Sequence, residues 1–335
     1  MGKHYFILLF SFFIFRLCCA QDPHYSQFFA SPLTLNPANT GNFDGDFRAN
    51  SNYRNQWPSI NNAFKTYTVS IDAPIFEKKV PTYDRMGIGI VAMSDRSGNG
   101  LLSENDVAIS VAYKKSLDEQ GFSSLSVGLQ ASYVNYRFNP SVAYFEDQLT
   151  ADGFTMPSTE LLLGRNLSKS FVDFHAGLIY TLSTTEYNLF YIGSSYFHTF
   201  SPDMHFNDQQ NNLSPRFNIH GGGYLPISYN STIHASFQYQ QQQIQNEILI
   251  GAVYSYYLQP NPTQYVELYM GSWIRLGDAI IPYIGIDYNR IMIGVSYDIN
   301  MTKKTEAQYF RSGEISLTYK FKKYANGRAL KCPIY

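Results

Sequence analysis

From Arg290 to Lys322 apolar and polar side chains alternate with almost no errors. Ile291, Ile293, Val295, Tyr297 and Ile299 occupy every second position, with Met292, Gly294, Ser296 and Asp298 between them. Ile315, Leu317, Tyr319 and Phe321 then repeat the pattern against Glu314, Ser316, Thr318, Lys320 and Lys322. A period of two is that of an extended strand with one apolar and one wet face. In a soluble sandwich the apolar face meets a second sheet. Here the pattern recurs through the chain with Tyr and Phe crowding the strand ends, which points to a membrane barrel.

The alternation predicts an all-β fold, a transmembrane antiparallel up-and-down β-barrel of about 14 strands preceded by an N-terminal non-barrel segment. The strands are expected near 46–56, 63–73, 85–94, 104–115, 123–138, 170–182, 187–200, 215–228, 229–241, 245–259, 263–276, 278–288, 290–299 and 312–322. Val107, Ile109, Val111 and Tyr113 are assigned to lipid, as are Leu125, Val127, Leu129 and Ala131, and Ile233, Ala235, Phe237 and Tyr239. Their neighbours, among them Ser124, Ser126, Gly128, Gln130, His234, Ser236, Gln238 and Gln240, are assigned to the lumen.

An even strand count puts both chain ends on one side. With that side periplasmic, the long connections 139–169, 201–214 and 300–311 lie outside the cell, and tight turns such as Tyr229-Asn230 and Asn289 lie inside. The short connection at Gly277-Asp278 and the long one at 74–84 run against that rule.

Compartment follows from the opening residues. Lys3 precedes the apolar run Ile7 to Phe15, and small residues at Cys18 and Ala20 suit cleavage before Gln21, so 1–20 reads as an export signal, with a lipoprotein signal as the alternative. Beyond it no apolar run approaches the roughly 18 residues of a spanning helix; the longest is Ile248 to Val253. Residues 21–45 form a periplasmic arm, a plug or a disordered stretch, 46–323 the outer-membrane barrel, and 324–335 a C-terminal tail.

Composition narrows the function. The chain has 335 residues, 25 basic and 26 acidic, with no long run of either sign, which argues against a nucleic-acid partner. Cys332 alone survives signal removal, so the processed chain has no intrachain disulfide. His24, His175, His198, His205, His220 and His234 fall in no catalytic or metal signature; no catalytic residue, metal or cofactor is expected. His175 and His234 are read as polar fillers of the lumen, and Asp44-Gly45-Asp46 as a turn. Gly221-Gly222-Gly223 marks a bend or bulge, Gln240 to Gln243 a strand end, and Tyr254, Tyr256, Tyr257, Tyr265 and Tyr269 an aromatic girdle.

Gln21 to Phe28, Pro32-Leu33, Asn36-Pro37-Ala38, Thr40-Gly41 and Tyr53 to Pro58, with Gly294 to Asp298, Ser312 to Ile315 and the closing Cys332-Pro333-Ile334-Tyr335, resemble the PorP/SprF family. The tail departs from it, ending Ile334-Tyr335 where members often have a basic residue and Phe. The resemblance implies a non-enzymatic outer-membrane component tied to type IX secretion and gliding motility in Bacteroidetes. Its implied partners are a secreted, adhesin-like surface protein with a C-terminal signal domain, other secretion or periplasmic components, and the lipid bilayer. A channel for small solutes is the competing class.

Fourteen strands leave a lumen that something can occupy. Gly87, Gly89, Gly128, Gly285 and Gly294 are assigned inward, either to admit a peptide to the wall, from 21–46 or from a client, or to ease strand curvature. Candidate partner contacts are Phe145, Phe154, Met156, Phe200 and Met204 on the outer loops, facing a client. On the inner side, Asp22, Tyr25, Phe28 and Trp57 are candidates to face periplasmic machinery.

Overall fold

A computed structural model of the chain describes residues 22–59, 63–77, 79–154, 158, 167–185, 188–204, 212–258, 266–301 and 311–322. Strands dominate: β1 (Phe47–Gln56), β2 (Phe64–Ile75), β3 (Arg85–Ser97), β4 (Leu102–Ser116), β5 (Ser123–Phe138), β6 (Leu149–Thr150), β7 (Gly153–Phe154), β8 (Leu167–Leu182), β9 (Leu189–Phe197), β10 (Arg216–Ser228), β11 (Ser231–Gln242), β12 (Gln245–Tyr257), β13 (Val266–Arg275), β14 (Ala279–Tyr288), β15 (Ile291–Asn300) and β16 (Ser312–Phe321). β6 and β7 form a small hairpin of their own in the connection between β5 and β8. The other fourteen make one closed antiparallel barrel in which each strand pairs with its sequence neighbours and β1 closes onto β16. Closure leaves no unpaired edge, the condition for sheet to cross a bilayer. Among the described residues no helix is long and apolar enough to cross one.

The outer face is the apolar one. Ile109 is 57% exposed, and Val107, Val111, Leu125, Val127, Leu129, Ile293, Val295 and Ile315 are exposed beside it, while their strand neighbours are buried inward. Aromatic side chains cluster where the apolar belt ends. Phe47 stacks on Phe321 at 5.2 Å and exposed Tyr113, Tyr180, Tyr256 and Tyr288 lie at the end bearing both barrel termini; Tyr53 stacks on Tyr67 at 4.8 Å towards the other end.

The two ends differ. The end where β1 starts and β16 finishes carries connections such as Tyr229-Asn230 and Asn289-Arg290, the short-turn end; the other carries 139–166 and 198–215, the long-loop end. The exceptions anticipated from sequence are real. β13 and β14 join at the long-loop end through Leu276–Asp278, where Gly277 takes φ +78°, and β2 and β3 are separated by 76–84 at the short-turn end. The glycine run Gly221–Gly223 does not bend the sheet, because pairing on both sides of β10 passes through it in register. The shift comes at Pro226/Ser228, where proline has no N–H for the ladder. β9 stops at Phe197, short of the expected 200, since His198 takes φ +57° and leaves the extended region.

Residues 22–43 lie inside the barrel. They start at the long-loop end and descend through a 3-10 turn (Phe28–Ala30), one α-helical turn (Pro32–Leu35) and a second 3-10 turn (Pro37–Asn39), joining β1 at the short-turn end. Nearly all are buried, Leu33, Ala38 and Phe43 completely.

Candidate functional site

The occupied lumen is the site. Its wall is polar because inward positions of the strands carry Arg, Asp, Glu, Asn, Gln and Ser, and the N-terminal segment bonds to part of that set. In the half nearer the long loops, Ser26 and Gln27 donate their backbone N–H groups to the Glu314 carboxylate at 2.8 and 3.0 Å. The Ser26 hydroxyl donates to Asp298 and accepts from Arg54 and Arg275. Arg54 pairs with Asp298 at 3.0 Å and with Glu314, its cross-strand partner, at 3.1 Å, and Arg275 pairs with Asp298 at 3.0 Å. Four strands, β1, β13, β15 and β16, two of them forming the closure seam, therefore converge on two plug residues. Little water screens the attraction among these buried groups, and removing one partner leaves the others uncompensated.

Nearer the mouth, Asp22 and Gln242 exchange two hydrogen bonds, each 2.9 Å. Asp22 also accepts from His198 Nε2 at 2.5 Å and lies 3.5 Å from Arg216, while His198 Nδ1 bonds to Asp173. Burial opposes charge on both groups. Asp22 and Asp173 outweigh it on His198, just beyond the end of β9, and raise its pKa to about 9, while His198 and Arg216 hold the Asp22 carboxyl well below the usual range. Asp173, His175 and His198 offer three ligand atoms within 4.8 Å of one another, a donor set suited to a metal. Each His198 nitrogen already faces a carboxylate and each His175 nitrogen a hydrogen-bond partner, so the residues form a complete network as they stand.

Towards the short-turn end, Asn36 caps the second 3-10 turn by accepting from Ala38 N–H at 2.9 Å. Its amide donates to the Leu178 and Ser194 carbonyls of the wall, 3.0 Å each. Thr40 meets Ser110 at 2.6 Å. Asp72 holds the Gly41 N–H at 2.7 Å and pairs with Arg48 at 2.8 Å, and Arg85 donates to the Phe43 carbonyl. The wall is thinned where the segment touches it: a Cβ on Gly128 would collide with the Pro37–Ala38 backbone, one on Gly87 with Thr40 and Gly41, and one on Gly177 with Asn36. Close approach of a peptide, in this case the chain's own, accounts for these glycines.

The candidates named from sequence are dispersed. Asp22, Tyr25 and Phe28 are buried in the lumen, where Tyr25 bonds to Thr68 at 2.5 Å and Phe28 joins the core around Trp273. Trp57 follows β1 at the long-loop end, its N–H donating to the Arg311 carbonyl at 2.9 Å. These placements put the four at or within the long-loop mouth and not, as expected from sequence, at the end bearing the barrel termini, because the segment begins at that mouth, and the side chains of Asp22, Tyr25 and Phe28 are spent on the wall. Phe200 is 74% exposed and packs edge-on against Phe174 of the outer wall at 5.7 Å. Phe154 sits in the β6–β7 hairpin 5.1 Å from Tyr144, and Phe145 and Met204 are half-buried on the same loops. Met156, His205, Tyr265 and Cys332 lie outside the described residues.

Tyr254 and Tyr256 are exposed as a girdle requires, but Tyr269 is not. It is buried in the lumen, since it shares the parity of inward Glu267 and Trp273 on β13. The fastening residues Arg54, Arg275, Asp298 and Glu314 were missed as a set. The signal for them is a charged residue at an inward position of a barrel strand.

A closed antiparallel cylinder with an apolar outer belt, aromatic ends and a lumen filled by its own N-terminal segment defines a plugged outer-membrane β-barrel. The chain belongs to the family described as type IX secretion system membrane protein PorP/SprF, whose sequence profile matches residues 18–319. No curated protein matches it in sequence. Among solved structures it is similar to the toluene transporter TbuX of Ralstonia pickettii, with a TM-score of 0.52 at 9% identity over 87% of this chain and 94% of that one. A FadL homologue of Pseudomonas aeruginosa gives 0.48 at 8% over 87% and 94%, and the P. putida toluene transporter TodX 0.48 at 10% over 86% and 93%.

Proposed function

We propose that this protein is a non-enzymatic outer-membrane component of type IX secretion, processed near Ala20/Gln21, that binds a secreted adhesin-like surface protein through its C-terminal signal domain and anchors it or helps its export. Family membership supports the secretion role. The observation that carries the choice against a solute channel is the lumen: residues 22–43 run through it and are fastened by buried ion pairs at Arg54, Asp298 and Glu314 and at Arg48 and Asp72. A pore for free diffusion has no use for a segment so held.

With the long-loop end outside the cell, Phe145, Phe154, Phe200 and Met204 present apolar anchors to the client, while the lumen stays shut. Deleting the gene and comparing surface and medium proteins by mass spectrometry tests this. One or a few surface proteins should appear in the medium or be lost, with small-solute permeability unchanged. Unaltered secreted proteins together with a fall in solute uptake would establish the channel instead.

A further inference from the structure

On the outward face a row of cations lies just beyond the apolar belt. Lys65 stands directly opposite Arg96, Arg96 opposite Ser103, and Ser103 opposite Arg137, so the four run side by side across β2, β3, β4 and β5 at the long-loop end. They share the parity of Val69, Ile90, Val107 and Leu129, which are exposed to lipid. A polar row of Tyr67, Ser94, Asn105 and Asn135, cross-strand partners in the same order, separates them from the belt. Strand spacing puts Lys65 about 5 Å from Arg96, and Arg137 about 10 Å beyond Arg96. Like charges facing each other across two strands repel. Neither Lys65 nor Arg96 has an ion-pair partner among the described residues, and the adjacent acids Asp95 and Glu104 have lumen parity, Asp95 bonding to the buried Thr66 at 2.5 Å. At the short-turn end the protein supplies its own counter-charge: Asp84 meets Lys115 at 2.9 Å and Asp44 meets Lys322 at 2.8 Å.

We infer that Lys65, Arg96 and Arg137 form a binding site for the phosphate of a membrane lipid whose acyl chains lie along the apolar belt of β2 to β5. The bilayer delivers phosphate where that belt ends, so the anion missing from the row is the one its surroundings offer. A guanidinium takes phosphate in a bidentate grip, and the ammonium of Lys65, which is half-buried along its stem, adds a point charge beside it. An acidic peptide would match the charges but not the lipid-facing strip beneath them. The row owes nothing to the client-binding reading, because it faces lipid and includes none of the outer-loop anchors.

The test is native mass spectrometry of the full chain refolded in detergent with an equimolar mixture of phosphatidylglycerol and phosphatidylcholine of the same acyl chains. Heat-modifiable gel mobility confirms the barrel in every variant. Wild type should retain phosphatidylglycerol in preference to phosphatidylcholine. A cation beside an anionic headgroup is worth about fivefold in affinity, so the double variant Lys65→Gln with Arg96→Gln should weaken phosphatidylglycerol by about 30-fold. Lys115→Gln with Lys322→Gln removes the same charge at the other end and should leave the preference intact. Equal retention of the two lipids by wild type, or an unchanged preference in the first double variant, would overturn the assignment. So would an equal loss in the second, which would make the preference one of net charge, or displacement of the lipid by millimolar inorganic phosphate, which would give the row to a free anion.

Discussion

Replacing Gly128 with leucine separates a docked plug from a lumen that is merely narrow. The Cβ alone would meet the Pro37 carbonyl and the Ala38 nitrogen closer than any carbon can approach them. Ordinary contact requires the plug backbone to retreat by more than about 1 Å. The retreat pulls Asn36 away from the Leu178 and Ser194 carbonyls and Thr40 away from Ser110, three hydrogen bonds made at 3.0, 3.0 and 2.6 Å. At about 1 kcal/mol each the docked state loses about 3 kcal/mol, roughly a hundredfold in its ratio to the undocked one.

In planar bilayers wild type should be closed with rare openings. G128L should open far more often, and in liposomes a protease added at the mouth should cut within 22–43 of the variant first. Gly313→Ala is the control, since a Cβ there meets nothing within 4 Å. If G128L stays as closed and as protected as G313A while its barrel is folded, the plug is not held by the contacts described.

Arg54→Ala removes the cation shared by Asp298 and Glu314; Asp298 keeps Arg275, while the buried Glu314 carboxylate loses its ion pair. It should cost about 3–5 kcal/mol, read as a lower midpoint in urea unfolding of the refolded barrel. The mouth latch should depend on pH. The His198 pKa is raised, so its contribution is full below the ordinary value near 6.5 and is lost as pH rises through about 9; Asp22, lowered, contributes above the usual carboxylate range and loses its share only in strong acid. Proteolysis near Asp22 should accelerate from pH 8 to about 10, and His198→Gln should flatten that profile. Ile109→Arg on the lipid face should destabilise the barrel by about 2–4 kcal/mol, against a small effect of the outward Gly313→Ala.

The strands were legible because each carries its own evidence. Alternation is local, so all fourteen barrel strands lie within a few residues of their expected places, and the lipid faces of β4, β5 and β11 follow from parity alone. Parity was also enough to place Tyr269 inside, and grouping it with its tyrosine neighbours overrode that signal. The plug was not legible in the same way. Its turns have no period, and its fixed conformation depends on groups far along the chain, such as Glu314 for Ser26 and Asp72 for Gly41. Nothing local to 21–46 distinguishes such a segment from a free arm.

The fastening has a direction. Arg54, Arg275, Asp298, Glu314 and Asp22 with His198 hold the plug near the long-loop end, whereas Arg48, Asp72 and Arg85 hold it where it enters β1. The lower set lies within a few residues of a covalent anchor, so the chain itself keeps that end in place. The upper set has no covalent support beneath it until Phe47, and its grip depends on charge. Release by any event at the long-loop mouth therefore means replacing the partners of Asp22, Ser26 and Gln27, and a segment freed there remains tied at the other end and can return. A barrel with a tethered, charge-latched plug can change between two states without losing a part, whereas one closed only by apolar packing would have to expose that packing to water to open.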